Sequence, residues 1–325
     1  MTLLLTESDV AACLDMPSLI PLMRDTLASF SRGECVQPVR NSLTVRPAGG
    51  FYAAMPAHIQ GPGGGALGLK SVSFFPGNEA GGLPTHLATI LYLDAGTGDL
   101  LAMMDGRLIT EMRTAAVSAV SVDLLARTTA STLAILGSGV QARSHLEAIA
   151  LVRQLHHVRI WSRRPERALQ FEHRAVDVVP CPVSAAADVA DAVRGADIVV
   201  TATSATEPVF TADLLEPGMH LAVVGSSHPR MREVDSGTVA RSRVFVDSKA
   251  AMTVEAGDLV IPVTEGRLDW SHVLGELGDV VNGTFRRDTD TDITLFKSLG
   301  LAVEDVATAK LVYERAVARR LGTRW

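Results

Sequence analysis

The sequence predicts an α/β protein in two parts, a doubly wound nucleotide-binding domain and a discontinuous α+β domain wrapped around it in the chain order. Three observations carry this prediction. The run Leu133–Leu136 reads as a buried strand, and a glycine-rich turn after it opens a helix. From Thr129 to Thr294, apolar strand-like runs alternate with helical patterns, the signature of a parallel sheet covered on both faces. From Val36 to Leu101, short alternating runs are broken by glycine and proline with no helices between them. The predicted boundaries are 129–294 for the nucleotide-binding domain, with 1–128 and 295–325 forming the other.

In order, residues 3–32 read as a short strand and then a helix, started by the Thr6–Asp9 cap, with Leu19, Leu22, Met23, Leu27 and Phe30 at helical spacing. Runs 41–46, 51–55, 68–75 and 88–93 are candidate antiparallel strands. Turns are expected at 61–65, rich in glycine, and at 94–99. Residues 108–125 form a helix of small side chains. In the second part, strands are expected at 133–136, 158–161, 178–183, 196–203, 221–224 and 244–246, with helices at 165–174, opened by Pro165, and at 185–194, closed by Gly195. The chain is expected to leave this domain near Thr294 and run as one helix from Phe296 to Arg315, packed on the first part.

With 325 residues, 47% of them hydrophobic and 20% charged, the chain has ample material for such cores. A net charge of −6 gives no general attraction to nucleic acid or to an anionic membrane. No apolar run approaches a membrane span, and the N-terminal stretch is too short and too acidic for a signal peptide, so the cytoplasm is the expected location. Cys13, Cys35 and Cys181 lack metal-ligand spacing and read as reduced thiols, so no metal is expected.

The turn is Gly137-x-Gly139-x-x-Ala142, a dinucleotide (Rossmann) fingerprint. Gly137 permits the tight turn, Gly139 lets the main chain approach a pyrophosphate, and Ala142 lets the helix pack closely on the strand. The free N–H groups of the helix start, at Val140 and Gln141, face the phosphates. A ribose with a free 2′-hydroxyl usually meets an acid about 20 residues beyond the glycines. Here Ser162 stands at that place, followed by Arg163 and Arg164. A hydroxyl and two guanidiniums suit a 2′-phosphate, which favours NADPH while leaving NADH possible. The plainer alternative is a solvated turn.

Three cations stand in apolar or small-residue surroundings: Arg40 ahead of the first strand, Lys70 inside a strand, and Arg113 on the small-residue helix. Buried cations need anions. Converging, they would receive a substrate carboxylate; otherwise each would be a structural ion pair with Glu111, Asp105 or a helix C-terminus.

The segments Val36–Arg40, Gly68–Lys70, Met104–Gly106, Arg113–Ala119, Gly137–Ala142 and Phe296–Gly300, taken together and in order, resemble the ornithine cyclodeaminase/mu-crystallin family. The resemblance covers nearly the whole chain. It implies a homodimer, with one domain for substrate and dimerisation and the Rossmann domain for NAD(P). It also implies that Arg40, Lys70 and Arg113 bind the substrate carboxylate, and that Thr201, Ala202, Thr203, Ser226, Ser227, Ser298 and Gly300 lie in segments lining the nicotinamide.

Members resembling this chain that act as cyclodeaminases carry an aspartate after the fifth strand, where Ser227 stands here beside His228 and Pro229. They also carry an acid where this chain has Ser162. Both departures favour an NAD(P)H-dependent ketimine reductase that converts Δ1-pyrroline-2-carboxylate or Δ1-piperideine-2-carboxylate to L-proline or L-pipecolate. Such a reaction needs mainly orientation, since a protonated C=N already attracts hydride. Arg113 and Lys70 would be its catalytic cations, and Lys70 could pass a proton if burial and Arg113 lower its pKa. Ser227 would adjoin the substrate. Rival readings are ornithine cyclodeaminase, an alanine-dehydrogenase-like amino-acid dehydrogenase, and a non-catalytic NADPH-dependent binding protein.

Overall fold

The computed structural model describes residues 1–61 and 65–325, so the centre of the turn expected at 61–65 lies outside the described residues. The chain divides into two compact units, residues 1–113 with 300–325, and residues 114–299. The first boundary falls inside the helix Arg107–Leu125, ahead of the position expected from the sequence, because that helix is continuous across it.

The first unit is built on a mixed sheet. From edge to edge its strands are Thr323–Arg324, Leu3–Leu5, Leu100–Asp105, His86–Leu93, Ala66–Phe74, Gly50–Ile59 and Cys35–Val36, with Asn41–Val45 also paired to Gly50–Ile59. Leu100–Asp105 was not expected as a strand. It fills the place between Leu3–Leu5, parallel to it, and His86–Leu93, antiparallel to it, and buries Ala102 and Met104 in alternation. The single N-terminal helix of the sequence reading is two helices, Glu7–Cys13 and Met16–Ser31. Asp15 breaks the run by accepting from Ser18 N at 2.8 Å, a second N-cap, and a proline stands in the first turn after it.

Period-two alternation gives the sheet two different faces. Lys70 lies between Met55 and Ile90, its cross-strand partners, on the face over which the helix Ala302–Arg319 packs. A Cβ on Gly68 would come within 3.0 Å of Val306 Cγ2 and 2.7 Å of Leu91 O, so only glycine lets helix and strand approach this closely. The opposite face carries Leu43, Tyr52, Ser73 and Leu87 in one cross-strand row, with both leucines exposed.

The second unit is an all-parallel sheet in the order Val183–Ala185, His157–Trp161, Thr132–Leu136, Ile198–Thr201, His220–Val223, Thr294–Lys297, Arg243–Val246 and Val273–Glu276. Its first five strands follow the doubly wound order with the glycine-turn strand in the middle. Alternate residues feed two cores: Leu133, Ile135, Ile198 and Val200 on one face, Ala134, Leu136, Val199 and Leu221 on the other.

Two expectations are corrected here. The third strand is Val183–Ala185 rather than 178–183, and Val178 and Val179 pack beneath it as a turn. The chain does not leave the unit at Thr294. Thr294–Lys297 is a fully buried strand hydrogen-bonded between His220–Val223 and Arg243–Val246, and the C-terminal helix starts only at Ala302. The helical spacing of Leu299, Val303 and Val306 concealed a four-residue buried strand, which periodicity alone does not separate from a buried helix.

Candidate active site

In the first unit the cations do converge. Lys70 and Arg113 are 2% and 5% exposed, too buried to remain charged without partners. The partners shown are Asp305 and Glu304. Lys70 Nζ donates to Asp305 Oδ1 at 3.1 Å, Arg113 Nε donates to the same oxygen at 3.0 Å, and Arg113 Nη1 donates to Glu304 Oε2 at 2.9 Å. Asp105 instead caps the helix Arg107–Leu125, accepting from Arg107 N at 3.0 Å. Arg40, half-buried, donates from Nη2 to the Gly300 carbonyl at 3.2 Å.

Local structure explains each motif around this cluster. Gln37 Oε1 accepts from Val303 N at 2.9 Å, and Glu304 Oε2 accepts from Leu301 N at 3.1 Å, so both satisfy N–H groups at the start of the helix Ala302–Arg319. Gly300 has φ +80°, and a Cβ there would lie 2.8 Å from Arg113 Nη1. The glycine therefore makes room for the guanidinium, and it sits with the cations rather than with Ser298, which belongs to the other unit.

Electrostatics gives the cluster a definite capacity. Arg40, Lys70 and Arg113 gather beside the carboxylates of Glu304 and Asp305, which places three cationic donors in one cluster. Such donors could receive a carboxylate ligand. Burial, reinforced by Arg113 and opposed by Asp305, pulls the Lys70 ammonium down to about 8. Asp305 Oδ2 has no hydrogen-bond partner among the described residues, although the atom is buried. His86 lies on the Lys70 face of the sheet, exposed, with its ring beside Phe74.

In the second unit, Gly137 has φ +128°, and a Cβ would lie 2.3 Å from Ala202 O. Gly139 is the N-cap of the helix Val140–Val152, makes no side-chain cap, and has nothing within 4 Å of a Cβ position. Ala142 is fully buried against the sheet. The turn thus leaves helix N–H groups at Val140 and Gln141 without a side-chain cap, beside open space over Gly139, which fits a pyrophosphate. Ser138 Oγ donates to Ser162 Oγ at 2.9 Å, bringing the turn and the end of the second strand together, and Arg163 and Arg164 are both exposed beyond it. A cleft of about 320 Å3 beside the turn is walled in part by Arg143, Arg167 and Arg174.

The strand-end residues are less uniform. Thr201 is fully buried, and its hydroxyl donates to Glu233 Oε2 at 2.8 Å; Thr203 N and Oγ1 both donate to Glu233 Oε1 at 2.7 Å. Ser226 is buried with its hydroxyl donating to Met231 O at 2.8 Å, whereas Ser227 and His228 are exposed. Ser298 N donates to Val223 O at 3.0 Å.

A profile of the ornithine cyclodeaminase/mu-crystallin family matches residues 1–320. The chain belongs to that family. This family member is 39% identical over 299 residues to a ketimine reductase mu-crystallin of Mus musculus, covering 91% of each chain. Among solved structures it is similar to the Δ1-pyrroline-2-carboxylate reductase of Thermococcus litoralis in complex with NADH and L-proline, with TM-score 0.97, 37% identity and 100% of both chains covered. It is also similar to an archaeal alanine dehydrogenase dimer with bound NAD, with TM-score 0.93 and 31% identity over 99% of this chain and 98% of that one.

Sequence reasoning singled out the cations of this family member but missed Glu304, Asp305, His86 and Glu233. The only available signal was the acidic pair in the first turn after Gly300, which reads as an ordinary helix start.

Proposed function

We propose that the protein is an NAD(P)H-dependent ketimine reductase, reducing Δ1-pyrroline-2-carboxylate or Δ1-piperideine-2-carboxylate to L-proline or L-pipecolate. The observation that carries this reading is the gathering of Arg40, Lys70 and Arg113 in one cluster, three cationic donors that suit a substrate carboxylate. The named activities of the mouse and Thermococcus relatives support it, and so does Ser227, where no carboxylate is available to act as a base on a second amino group.

In this reading Arg40 and Arg113 hold the carboxylate oxygens by charge-assisted hydrogen bonds and fix the ring. The nicotinamide, when bound, supplies hydride to the imine carbon. Lys70, its pKa lowered to about 8, supplies the proton that the ring nitrogen gains, so imine, proton and reduced cofactor are converted to amine and oxidised cofactor. Gly137, Gly139, Val140, Gln141 and Ala142 hold the pyrophosphate. Ser162, Arg163 and Arg164 take a 2′-phosphate, and Thr201, Ala202, Thr203, Ser226, Ser298 and Gly300 belong to the segments proposed around the nicotinamide. Gly300 serves there mainly by making room for Arg113.

The same reading makes the protein a homodimer, its exposed apolar sheet face around Leu43, Tyr52 and Leu87 covered by a second copy, as suits a relative of a dimeric alanine dehydrogenase. None of the described helices is long and apolar enough to cross a membrane, and the three cysteines are free thiols; we place the protein in the cytoplasm.

The decisive experiment follows NADPH oxidation with Δ1-pyrroline-2-carboxylate, beside ammonia release from L-ornithine with NAD. Rapid oxidation without ammonia is expected. Ammonia and proline from ornithine would make the protein a cyclodeaminase and overturn the reading. Silence in both would favour an acyclic dehydrogenase or a binding protein.

Two further outcomes follow. kcat/KM for the imino acid falls as pH rises through about 8, because the Lys70 ammonium is present below that value and lost above it. In Lys70→Arg the guanidinium stays protonated, so this alkaline limb moves upward; an unmoved limb would remove Lys70 from the proton path. Arg163→Ala combined with Arg164→Ala weakens NADPH about tenfold or more and NADH far less, since each charge-assisted phosphate contact is worth roughly 1.5–3 kcal/mol. Equal loss for both cofactors would sink the 2′-phosphate role.

A further inference from the structure

A buried carboxylate that no step above uses holds together the ends of two strands of the parallel sheet. Glu233 is fully buried and takes four hydrogen bonds. Oε1 accepts from Thr203 N and from Thr203 Oγ1, both at 2.7 Å; Oε2 accepts from Thr201 Oγ1 at 2.8 Å and from Gly225 N at 2.6 Å. Two main-chain N–H groups and two hydroxyls thus fill the acceptor capacity of a single carboxylate. Glu233 is itself fixed from behind. Its N–H donates to Asp258 Oδ1 at 2.7 Å, Asp258 Oδ2 pairs with Lys297 Nζ at 3.1 Å, and Lys297 Nζ reaches the Ser226 carbonyl. A Cβ on Gly225 would lie 2.4 Å from Glu233 Oε1 and 2.2 Å from Thr203 O, so the junction closes only around glycine.

The position of this junction gives it a purpose. The glycine turn backs directly onto the segment Glu233 holds, as the contact between the Gly137 Cβ position and Ala202 O shows. The Ser138–Ser162 bond marks the adenosine side, toward the second strand. An extended dinucleotide lying across the strand ends at this switch point must therefore send its other half over Ala202 and Thr203 toward Gly225 and Ser226.

We propose that Glu233 is a positioning residue for the nicotinamide half of the cofactor, fixing Thr203 and Gly225 as one floor beneath it. This rests on the nicotinamide-cofactor reading above. In Glu233→Gln one oxygen becomes an NH2 that cannot accept, so either the Thr203 or the Gly225 N–H loses its partner and the floor shifts.

The test compares wild type and Glu233→Gln in binding NADPH and binding 2′,5′-ADP, the adenosine-side fragment, and in kcat and KM for Δ1-pyrroline-2-carboxylate at saturating NADPH. The expected result is about tenfold weaker NADPH with 2′,5′-ADP held within about twofold, and a larger loss in kcat than rise in KM. Thr203→Val, which removes the hydroxyl's bond to Glu233 and its bond from Ala205 N but keeps the main-chain bond to Glu233, should shift NADPH in the same direction by less, and it carries the test if Glu233→Gln does not fold. Equal weakening of NADPH and 2′,5′-ADP would mean a general loosening and overturn the proposal, as would wild-type values in both variants. Failure of the wild-type protein to bind either NADPH or NADH would instead overturn the cofactor reading itself.

Discussion

Arg113→Ala lowers kcat/KM for the imino acid at least about a hundredfold and also destabilises the first unit. Both effects have one origin. The guanidinium is held by Asp305 Oδ1 at 3.0 Å and Glu304 Oε2 at 2.9 Å in a site almost closed to water. Its removal takes away a charged ligand for the substrate carboxylate and a hydrogen-bonded cation from two buried carboxylates. Truncating one partner of a buried charge pair costs about 3–5 kcal/mol, several times more than removing both members together. The two effects separate in Arg113→Met with Glu304→Gln: thermal stability should recover much of the way, while kcat/KM stays low. Recovery of both would show that Arg113 is structural only, and wild-type kinetics in Arg113→Ala would remove it from the carboxylate site.

The second large effect lies at the glycine turn, where the two glycines should behave differently. Gly137→Ala places a methyl 2.3 Å from Ala202 O on a backbone at φ +128°, a conformation that L side chains rarely adopt. The turn must rearrange, so both the melting temperature and dinucleotide affinity fall. Gly139→Ala meets nothing within 4 Å and sits at φ −84°, an ordinary value for alanine. Its methyl would enter the open space where the pyrophosphate approaches. Gly139→Ala should therefore leave the melting temperature within about 2 °C of wild type while weakening NADPH at least about tenfold. Titration of the cofactor and a thermal melt of each variant check both halves. Unchanged affinity in Gly139→Ala would remove the pyrophosphate from this turn.

Legibility followed the range of the interactions. The Gly137–Ala142 fingerprint, the strand before it and the helix after it lie within a few residues of one another, and each small residue has a steric task that the spacing alone expresses. The antiparallel strands of the first unit announced themselves by alternation, and the two-face pattern around Lys70 follows from the same period. One short element buried on both sides did not. Thr294–Lys297 carries no alternation because both of its faces are covered, and it was absorbed into the helical pattern that follows.

By itself the sequence determined the doubly wound sheet, the glycine turn, the serine at the end of the second strand and the three cations in apolar surroundings. Those features depend on local sterics, on side-chain period and on the rarity of buried charge, which are properties of a residue and its near neighbours. Only the tertiary structure decided which anions hold the cations and that Glu233 ties two strand ends together. Asp305 reaches Lys70 and Arg113 from a helix at the far end of the chain, and Glu233 reaches Thr201 and Thr203 from across a strand. Hydrogen bonds and ion pairs act over about 3 Å whatever the separation in sequence, so charge balance in a buried site is set by the fold that brings those groups together.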